Sequence, residues 1–217
     1  MGIPVLILGD SGSGKSSSLR NFEPDEIGIF NVASKPLPFR RRLLSVDGAG
    51  YETIVKALSK PTRKAYAIDD SQYLMAFEFF DRAKESGYNK FTDIALHFRN
   101  LVHFIVSQTP PDVVVYFLHH TEADPNGLLK AKTIGKMLDE KLTVEGLFSV
   151  VLLCRAEKDK HYFQTQSEGV STAKSPMEMF PETIDNDLKL VDRTIRDYWG
   201  LAPNEAAPAD INEKETA

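Results

Sequence analysis

Eight consecutive residues decide the fold of this chain: Gly9-Asp10-Ser11-Gly12-Ser13-Gly14-Lys15-Ser16. They fit the pattern G-x-x-x-x-G-K-S/T at every specified position. The apolar run 3–8 comes directly before them and is typical of a parallel strand that is buried on both faces. A helix is predicted to follow over about 15–21. Because a glycine-rich turn between a strand and a helix is the context that this pattern requires, we predict a phosphate-binding loop here.

The residue types in this loop suit the binding of a polyphosphate together with a metal ion. Glycines permit backbone conformations that turn several N–H groups toward an anion. Lys15 supplies a mobile positive charge for the β and γ phosphates, Gly14 lets the backbone come close, and Ser16 offers its hydroxyl to Mg²⁺. The predicted ligands are therefore ATP, or a similar nucleotide, and Mg²⁺. The predicted nucleotide-binding residues are Gly9, Asp10, Ser11, Gly12, Ser13, Gly14, Lys15, Ser16 and Ser17.

A pair of acidic residues, Asp69 and Asp70, follows the predicted strand 65–68. A phosphate-binding loop of this kind needs a second carboxylate, at the end of a neighbouring strand, to hold the metal. We assign Asp69 to Mg²⁺ and Asp70 to the place of a carboxylate that polarises the attacking water. The alternative is that the pair only caps the helix predicted from Ser71.

The next predicted strand, 113–118, ends in His119, His120, Thr121 and Glu122. Adjacent side chains on a strand point to opposite faces, so the two histidines are not expected to bind one metal ion together. One of them, assigned as His120, is a candidate sensor of the γ-phosphate or the attacking water, and the alternative is a structural histidine at the strand end. Glu122 is a second candidate for the catalytic base. The predicted catalytic residues are thus Lys15, Asp70, His120 and Glu122.

The rest of the chain alternates between strand-like and helix-like segments. Apolar runs predict further strands over 27–32, 148–155 and 161–166, and the last two flank the polar turn 157–160. Helical periodicity predicts helices over 51–58, 71–86, 94–105 and 186–199, with Tyr73, Phe77 and Phe80 as the apolar stripe of the second. We therefore expect an α/β fold with a mainly parallel sheet, flanking helices and a late antiparallel hairpin.

Length and composition indicate one globular domain. The chain has 217 residues, of which 42% are hydrophobic, and a formal net charge of −5. Residues 203–217 hold four acidic residues and one lysine without apolar periodicity, so we predict a domain over 1–202 and a disordered acidic tail over 203–217. No apolar run has the roughly 20 residues that a membrane span needs, and no basic leader precedes the first strand. We expect a cytoplasmic protein that does not bind membranes, with its single cysteine, Cys154, buried.

Three modest clusters of basic residues are candidates for contact with nucleic acid. They comprise 40–42, the group Lys60, Arg63 and Lys64, and the group Lys130, Lys132 and Lys136. The last group lies in a segment without strong apolar periodicity, 124–135, where a mobile loop would reach nucleic acid or a neighbour's nucleotide. A solvated surface loop is the alternative interpretation.

The phosphate-binding loop, Asp69-Asp70 and the segment 119–122 together resemble the phage-encoded AAA-type ATP-binding proteins, which have a minimal RecA-like core. The resemblance covers about 3–200 and includes 132–139, 162–166, 171–176 and 186–189. It implies a P-loop NTPase fold, a location in the host cytoplasm, and assembly of copies into rings or filaments with nucleotide between subunits. One departure concerns the catalytic base. RecA-type enzymes usually carry a glutamate after the second strand, whereas this chain has Val32-Ala33-Ser34-Lys35.

Some proteins of this group act in single-strand annealing or recombination. The resemblance therefore implies an ATPase of phage DNA recombination, repair or replication that binds single-stranded DNA. The alternative is a nucleotide-dependent loader or switch whose main ligand is a replication protein, such as a helicase or a single-strand-binding protein. A nucleotide or nucleoside kinase is the third hypothesis, although no arginine-rich lid is evident.

Overall fold

The computed structural model describes residues 1–158 and 160–204, apart from the side chain of Glu140. The acidic tail predicted over 203–217 lies, from residue 205 onward, outside these residues. The strands are β1 (Ile3–Gly9), β2 (Ile27–Asn31), β3 (Leu44–Asp47), β4 (Ala65–Asp69), β5 (Val114–Ala123), β6 (Leu129–Ala131), β7 (Val150–Glu157), β8 (Lys160–Gln164) and β9 (Thr183–Asp185). The helices are α1 (Tyr51–Ser59), α2 (Gln72–Asp81), α3 (Asn89–Gln108) and α4 (Leu188–Tyr198), with 3-10 helices over Ser16–Asn21 and Val144–Leu147 and a π-helical turn over Met137–Leu142. Among the described residues, no helix has both the length and the apolar character needed to cross a membrane.

The strands form one mixed sheet in the order β3-β2-β4-β5-β1-β7-β8-β9, and β6 pairs with the end of β5. The strands from β3 to β7 in this order run parallel, whereas β8 and β9 continue the sheet in antiparallel pairing. β1 lies between β5 and β7, with Val5 opposite both Tyr116 and Val150. The predicted α/β architecture, with a mainly parallel sheet and a late antiparallel hairpin, is confirmed.

Both faces of the sheet are covered, because alternate residues of the central strands enter two separate cores. Leu6 and Leu8 face a core that α1, α2 and α3 complete. Val5 and Ile7 face the opposite core, which α4 and the 3-10 helix over 16–21 complete. Packing on both sides thus holds β1 in place, and the glycine-rich loop leaves the sheet from a fixed position.

The helix after β1 differs from the prediction. Ser16–Asn21 is a 3-10 helix of six residues, instead of an α-helix over 15–21. The hydroxyl of Ser18 donates to the carbonyl of Lys15 at 2.5 Å, and serine side chains that bond in this way compete with the backbone bonds of an α-helix. Pro24 follows closely and limits any extension. The positive end of this short helix is therefore weaker than that of the predicted α-helix.

Three short strands, β3, β6 and β9, have no counterpart among the predicted elements. Each has only three or four residues and depends on a neighbouring strand for its hydrogen bonds. β6 also lengthens β5, because its pairing with Thr121, Glu122 and Ala123 carries β5 past the predicted end at 118. The segment 124–135 is therefore partly a strand and not only a loop.

The predicted apolar stripe of α2 is wrong. The helix buries Leu74 and Met75, whereas Phe77 is 44% and Phe80 71% exposed. Periodicity shows that a helix has an apolar side, but α2 carries apolar residues on more than one side. Packing against the sheet and α3 decides between them, and this choice is not visible in the sequence.

Candidate functional site

The carboxyl ends of β1, β4 and β5 meet at one end of the sheet, and the predicted site residues lie on the segments that follow them. Ligands of open α/β sheets bind at this end. A cavity of about 300 Å³ opens between the glycine-rich loop and the ends of β4 and β5. It is lined by Ser11, Gly12, Gly14, Lys15, Ser16, Ser17, Lys35, Pro36, Pro38, Asp69, Asp70, His120 and His161.

The glycine-rich loop requires glycine at two of its positions. Gly12 and Gly14 have φ angles of 80° and 102°, in the left-handed region that favours glycine. Gly14 also has no room for a side chain, because an added Cβ would lie 2.8 Å from Nδ1 of His161. Within the described part of the chain, Ser11 and Gly12 form no hydrogen bond, so their amides are available to an external acceptor.

The side chain of Lys15 turns back toward β1. Its Nζ donates hydrogen bonds to the carbonyl oxygens of Gly9 at 2.7 Å and Asp10 at 2.9 Å. Burial lowers the pKa of Lys15, although nearby Asp69 and Asp70 act in the opposite direction. A buried ammonium beside neutral carbonyls is incompletely compensated, and a phosphate oxygen would be a stronger partner.

The two predicted metal ligands lie side by side. Oγ of Ser16 donates a hydrogen bond to Oδ1 of Asp69 over 2.7 Å, although the two residues are 53 positions apart in the chain. Burial raises the pKa of Asp69, and the bond from Ser16 partly opposes this rise. A hydroxyl and a carboxylate are oxygen ligands of the type that Mg²⁺ prefers, with waters and substrate phosphates as the remaining ligands. The pair therefore fits a magnesium ion that is bound together with a nucleotide.

Asp70 has an unusual backbone conformation and a side chain with two partners. Its φ of 59° places a non-glycine residue in the left-handed region, where strain is found at functional sites. Its Oδ2 lies 2.5 Å from Nζ of Lys35, and its Oδ1 accepts a hydrogen bond from Nε2 of His120 at 3.2 Å. Burial alone would raise the pKa of Asp70, but these two partners lower it to about 2. Neither Asp69 nor Asp70 caps α2 through its side chain, so the capping alternative is wrong.

The two adjacent histidines point to opposite faces of β5, as strand geometry requires. His119 is fully buried, and its Nε2 donates to the carbonyl of Lys132 at 2.8 Å while its Nδ1 accepts from Oγ of Ser71 at 2.9 Å. These contacts make His119 a structural residue. His120 lines the cavity, and its ring meets the ring of Tyr73 edge-on with the centroids 5.7 Å apart. Its role as a sensor stays a prediction.

The burial of His119 predicts that the free energy of unfolding falls as the pH is lowered. Burial lowers the pKa of His119 to about 4, from a value of 6.5 outside the fold. Between these values the unfolded chain binds a proton that the folded chain does not, so acid favours unfolding. We expect urea unfolding to show a loss of about 2 kcal/mol between about pH 7.5 and pH 5.

A pair of variants tests this assignment. His119→Asn should remove most of this pH dependence, because the group that titrates between folded and unfolded states is gone. His103→Asn changes an exposed histidine of α3 and should retain the pH dependence of the wild type. Equal pH dependence in the two variants would contradict the assignment to His119.

Glu122, the second candidate for the catalytic base, does not line the cavity. Its Oε1 lies 3.9 Å from Nζ of Lys130, where β5 pairs with β6. Asp70 is therefore the better placed of the two carboxylates to orient a water molecule in the cavity.

The remaining predicted loop residues divide between the cavity and the support behind it. Ser17 lines the cavity next to Ser16. Asp10 accepts a hydrogen bond from the hydroxyl of Thr121, which ties the loop to β5. The side-chain oxygen of Ser13 is buried and has no partner in the described residues. The loop is thus anchored on one side and open to the cavity on the other.

Among the residues that sequence reasoning missed, Lys35 and His161 line the cavity, and His161 and Asn186 hold the loop. Nδ1 of His161 donates to the carbonyl of Ser13 at 2.8 Å, and Nδ2 of Asn186 donates to the carbonyl of Gly14 at 3.2 Å. These pairs are 148 and 172 positions apart, and no local pattern announces such contacts. For Lys35 one signal existed, because it stands in the segment where the family resemblance leads one to expect an acid.

Members of the basic clusters already have acidic partners. Arg41 lies 2.5 Å from Glu23, and Lys130 forms an ion pair with Asp139. Such pairs reduce the positive charge that a cluster offers to the phosphates of a nucleic acid. These clusters therefore offer less positive charge to a nucleic acid than the sequence alone suggests.

A search with family models finds no match to this chain, and a search of curated proteins finds none either. The roles of these residues are therefore inferred from their contacts and from the chemistry of their side chains. The resemblance to RecA-like ATPases remains a hypothesis drawn from the sequence.

Proposed function

We propose that this chain is a Mg²⁺-dependent P-loop nucleoside triphosphatase with a RecA-like core, and that it binds and hydrolyses ATP or a similar nucleotide. One observation carries the proposal. The 2.7 Å hydrogen bond between Ser16 and Asp69 joins the two predicted metal ligands in the cavity that Lys15 also lines. A glycine-rich turn without a ligand has no need of an aspartate from the end of another strand. The position at the carboxyl ends of the strands gives further support.

Each residue of the cavity then has a chemical role. Amides of the glycine-rich loop and the ammonium of Lys15 bind the β and γ phosphates and stabilise the charge that develops on them. When bound by Ser16 and Asp69, Mg²⁺ would polarise the phosphate oxygens. Asp70 orients a water molecule for in-line attack on the γ phosphorus, and the proton that the water releases passes to an oxygen of the departing phosphate. The bond from this phosphorus to the bridging oxygen breaks, and the nucleoside diphosphate leaves with the electron pair.

Release of phosphate from ATP by the purified chain tests the proposal. We expect release that requires Mg²⁺ and that stops when EDTA removes the metal, because the cavity offers a paired serine and aspartate as metal ligands. Binding of a non-hydrolysable triphosphate, measured by calorimetry, should depend on Mg²⁺ in the same way. A folded sample without affinity for any nucleoside triphosphate in excess Mg²⁺ would refute the proposal.

The sequence resemblance extends the proposal to phage DNA recombination, repair or replication in the host cytoplasm, with turnover coupled to single-stranded DNA. Stimulation of hydrolysis by single-stranded DNA, with binding that weakens steeply as salt rises, would support this role. Assembly into rings or filaments with nucleotide between subunits belongs to the same proposal. Sedimentation velocity with and without a triphosphate measures it directly.

A nucleotide-dependent loader or switch that acts on a helicase or a single-strand-binding protein is the second candidate, and one feature favours it. A groove of about 850 Å³ lies between α1, α2 and α3, with an apolar lining that includes Leu74, Phe77 and Phe104. Phe80, on the same helix as Phe77, is also exposed. Apolar surface of this kind marks protein-binding sites. Hydrolysis without DNA binding at low salt would favour this candidate, and phosphate transfer to a nucleotide acceptor would favour a kinase.

A further inference from the structure

We infer that Lys35 is a second phosphate-binding cation of this site, which pairs with Asp70 in the structure and exchanges that partner for the terminal phosphate when a nucleoside triphosphate binds. The inference rests on the proposed function and deepens it, because it names the residue that distinguishes a triphosphate from a diphosphate. Lys35 should also increase the rate of hydrolysis, since a cation on the terminal phosphate stabilises the charge of the transition state.

The backbone of Lys35 is held by the buried side chain of Asn31. The amide of Lys35 donates to Oδ1 of Asn31 at 3.2 Å, and its carbonyl accepts from Nδ2 of Asn31 at 2.8 Å. Asn31 is itself bound by Asp47, whose Oδ1 accepts from the same nitrogen at 2.8 Å. Between Asn31 and Lys35, Ser34 turns the chain with a φ of 55°. A solvated lysine needs neither a left-handed turn nor this network, so the structure specifies the place of Lys35.

The side chain of Lys35, by contrast, can change partners. It is 57% exposed, and its ammonium contacts Asp70 and lies 5.4 Å from the centre of the Tyr73 ring. Because the side chain of Lys35 is more than half exposed, water can solvate its ammonium while it moves from Asp70 to a phosphate, which lowers the cost of the exchange. Asp70 retains His120 as a partner after the exchange and is not left uncompensated.

The arrangement of charge around the cavity gives this second cation a function. Lys15 and Lys35 both line the cavity, and they approach it from the loop after β1 and from the segment after β2. The additional negative charge of a triphosphate lies on its terminal phosphate, which is also where the water held by Asp70 attacks. Lys35 contacts Asp70, whose proposed role is to orient the attacking water, so a bound nucleotide would bring its terminal phosphate, and not its other groups, next to Lys35. Its departure also frees Oδ2 of Asp70 to accept a hydrogen bond from the water.

Lys35→Met tests the inference, because methionine keeps an aliphatic chain and removes the charge. The measurements are the dissociation constants of Mg–ADP and of a non-hydrolysable Mg–ATP analogue, together with the rate of single-turnover ATP hydrolysis. We expect affinity for ADP within about twofold of the wild type, affinity for the analogue reduced by about fivefold to tenfold, and hydrolysis slowed by about 100-fold.

Two further variants sharpen the test. Lys35→Arg keeps the positive charge and should retain all three values within about threefold. Lys84→Met removes the charge of an exposed lysine that does not line the cavity, and it should behave like the wild type. Thermal melting establishes that each variant is folded.

Two outcomes would overturn the inference while leaving the proposed function intact. In the first, Lys35→Met hydrolyses ATP at the wild-type rate and keeps the wild-type preference for triphosphate over diphosphate. Alternatively, it loses affinity for ADP and for the analogue by the same factor, which indicates a structural role. Failure of the proposed function looks different, because the wild-type chain itself would then bind neither nucleotide in the presence of Mg²⁺.

Discussion

Lys15→Ala is expected to lower the rate of triphosphate hydrolysis by about 1,000-fold and the affinity for nucleotide by about 100-fold, without unfolding the chain. The ammonium is the charge that the glycine-rich loop places against the β and γ phosphates, and neutral amides do not replace it. In the structure its hydrogen bonds go to the backbone carbonyls of Gly9 and Asp10. Burial disfavours the charged form of Lys15 and lowers its pKa. Replacing Lys15 by alanine therefore removes a buried charge that the fold itself does not favour.

The matched control for this variant is Lys56→Ala, which removes an exposed lysine from α1. Its hydrolysis rate and nucleotide affinity should equal those of the wild type. Steady-state phosphate release and equilibrium binding of a fluorescent triphosphate measure the two quantities, and thermal melting verifies the fold. Turnover of Lys15→Ala at the wild-type rate would remove the basis for assigning a phosphate-binding function to this loop.

The parts of the site that are predictable from the sequence are those that local rules define. The loop 9–16 combines glycines, a lysine and a serine at fixed spacing after an apolar run, and the structure places it after β1 as predicted. Asp69 and Asp70 follow directly on a second apolar run, and parallel strands bring their carboxyl ends together. The meeting of Ser16 and Asp69 follows from these two facts once the strands share one sheet.

The parts that are not predictable depend on choices made in three dimensions. His161 and Asn186 reach the loop only because β8 folds back on β7 and α4 packs on the sheet. Lys35 reaches Asp70 because the side chain of Asn31 and the left-handed backbone conformation of Ser34 direct this segment toward the cavity. Neither feature forms a recognisable pattern in the sequence. α2 buries the side with Leu74 and Met75 instead of the predicted aromatic stripe, because packing in three dimensions selects one of its several apolar sides.

Asp69→Asn is expected to raise the Mg²⁺ concentration for half-maximal hydrolysis by about tenfold or more, and to lower the maximal rate by about 100-fold. The asparagine has nearly the same shape, and its side-chain oxygen can still accept the hydrogen bond from Ser16. The change therefore removes negative charge and little else. Burial raises the pKa of Asp69, so the fold tolerates a neutral side chain at this position. The substitution should therefore weaken the binding of Mg²⁺ and not the stability of the fold. Hydrolysis rates over a Mg²⁺ titration provide the measurement.

Variants of two other aspartates serve as comparisons for Asp69→Asn. Asp81→Asn changes an exposed acid of α2 outside the cavity and should leave the Mg²⁺ titration unchanged. Asp70→Asn should slow hydrolysis while keeping the wild-type requirement for Mg²⁺, because it weakens the orientation of water and not the binding of metal. A normal Mg²⁺ titration for Asp69→Asn, with a shifted one for Asp70→Asn, would transfer the metal to Asp70. The geometry predicts the opposite, since the hydroxyl of Ser16, the other proposed metal ligand, is bonded to Asp69 and not to Asp70.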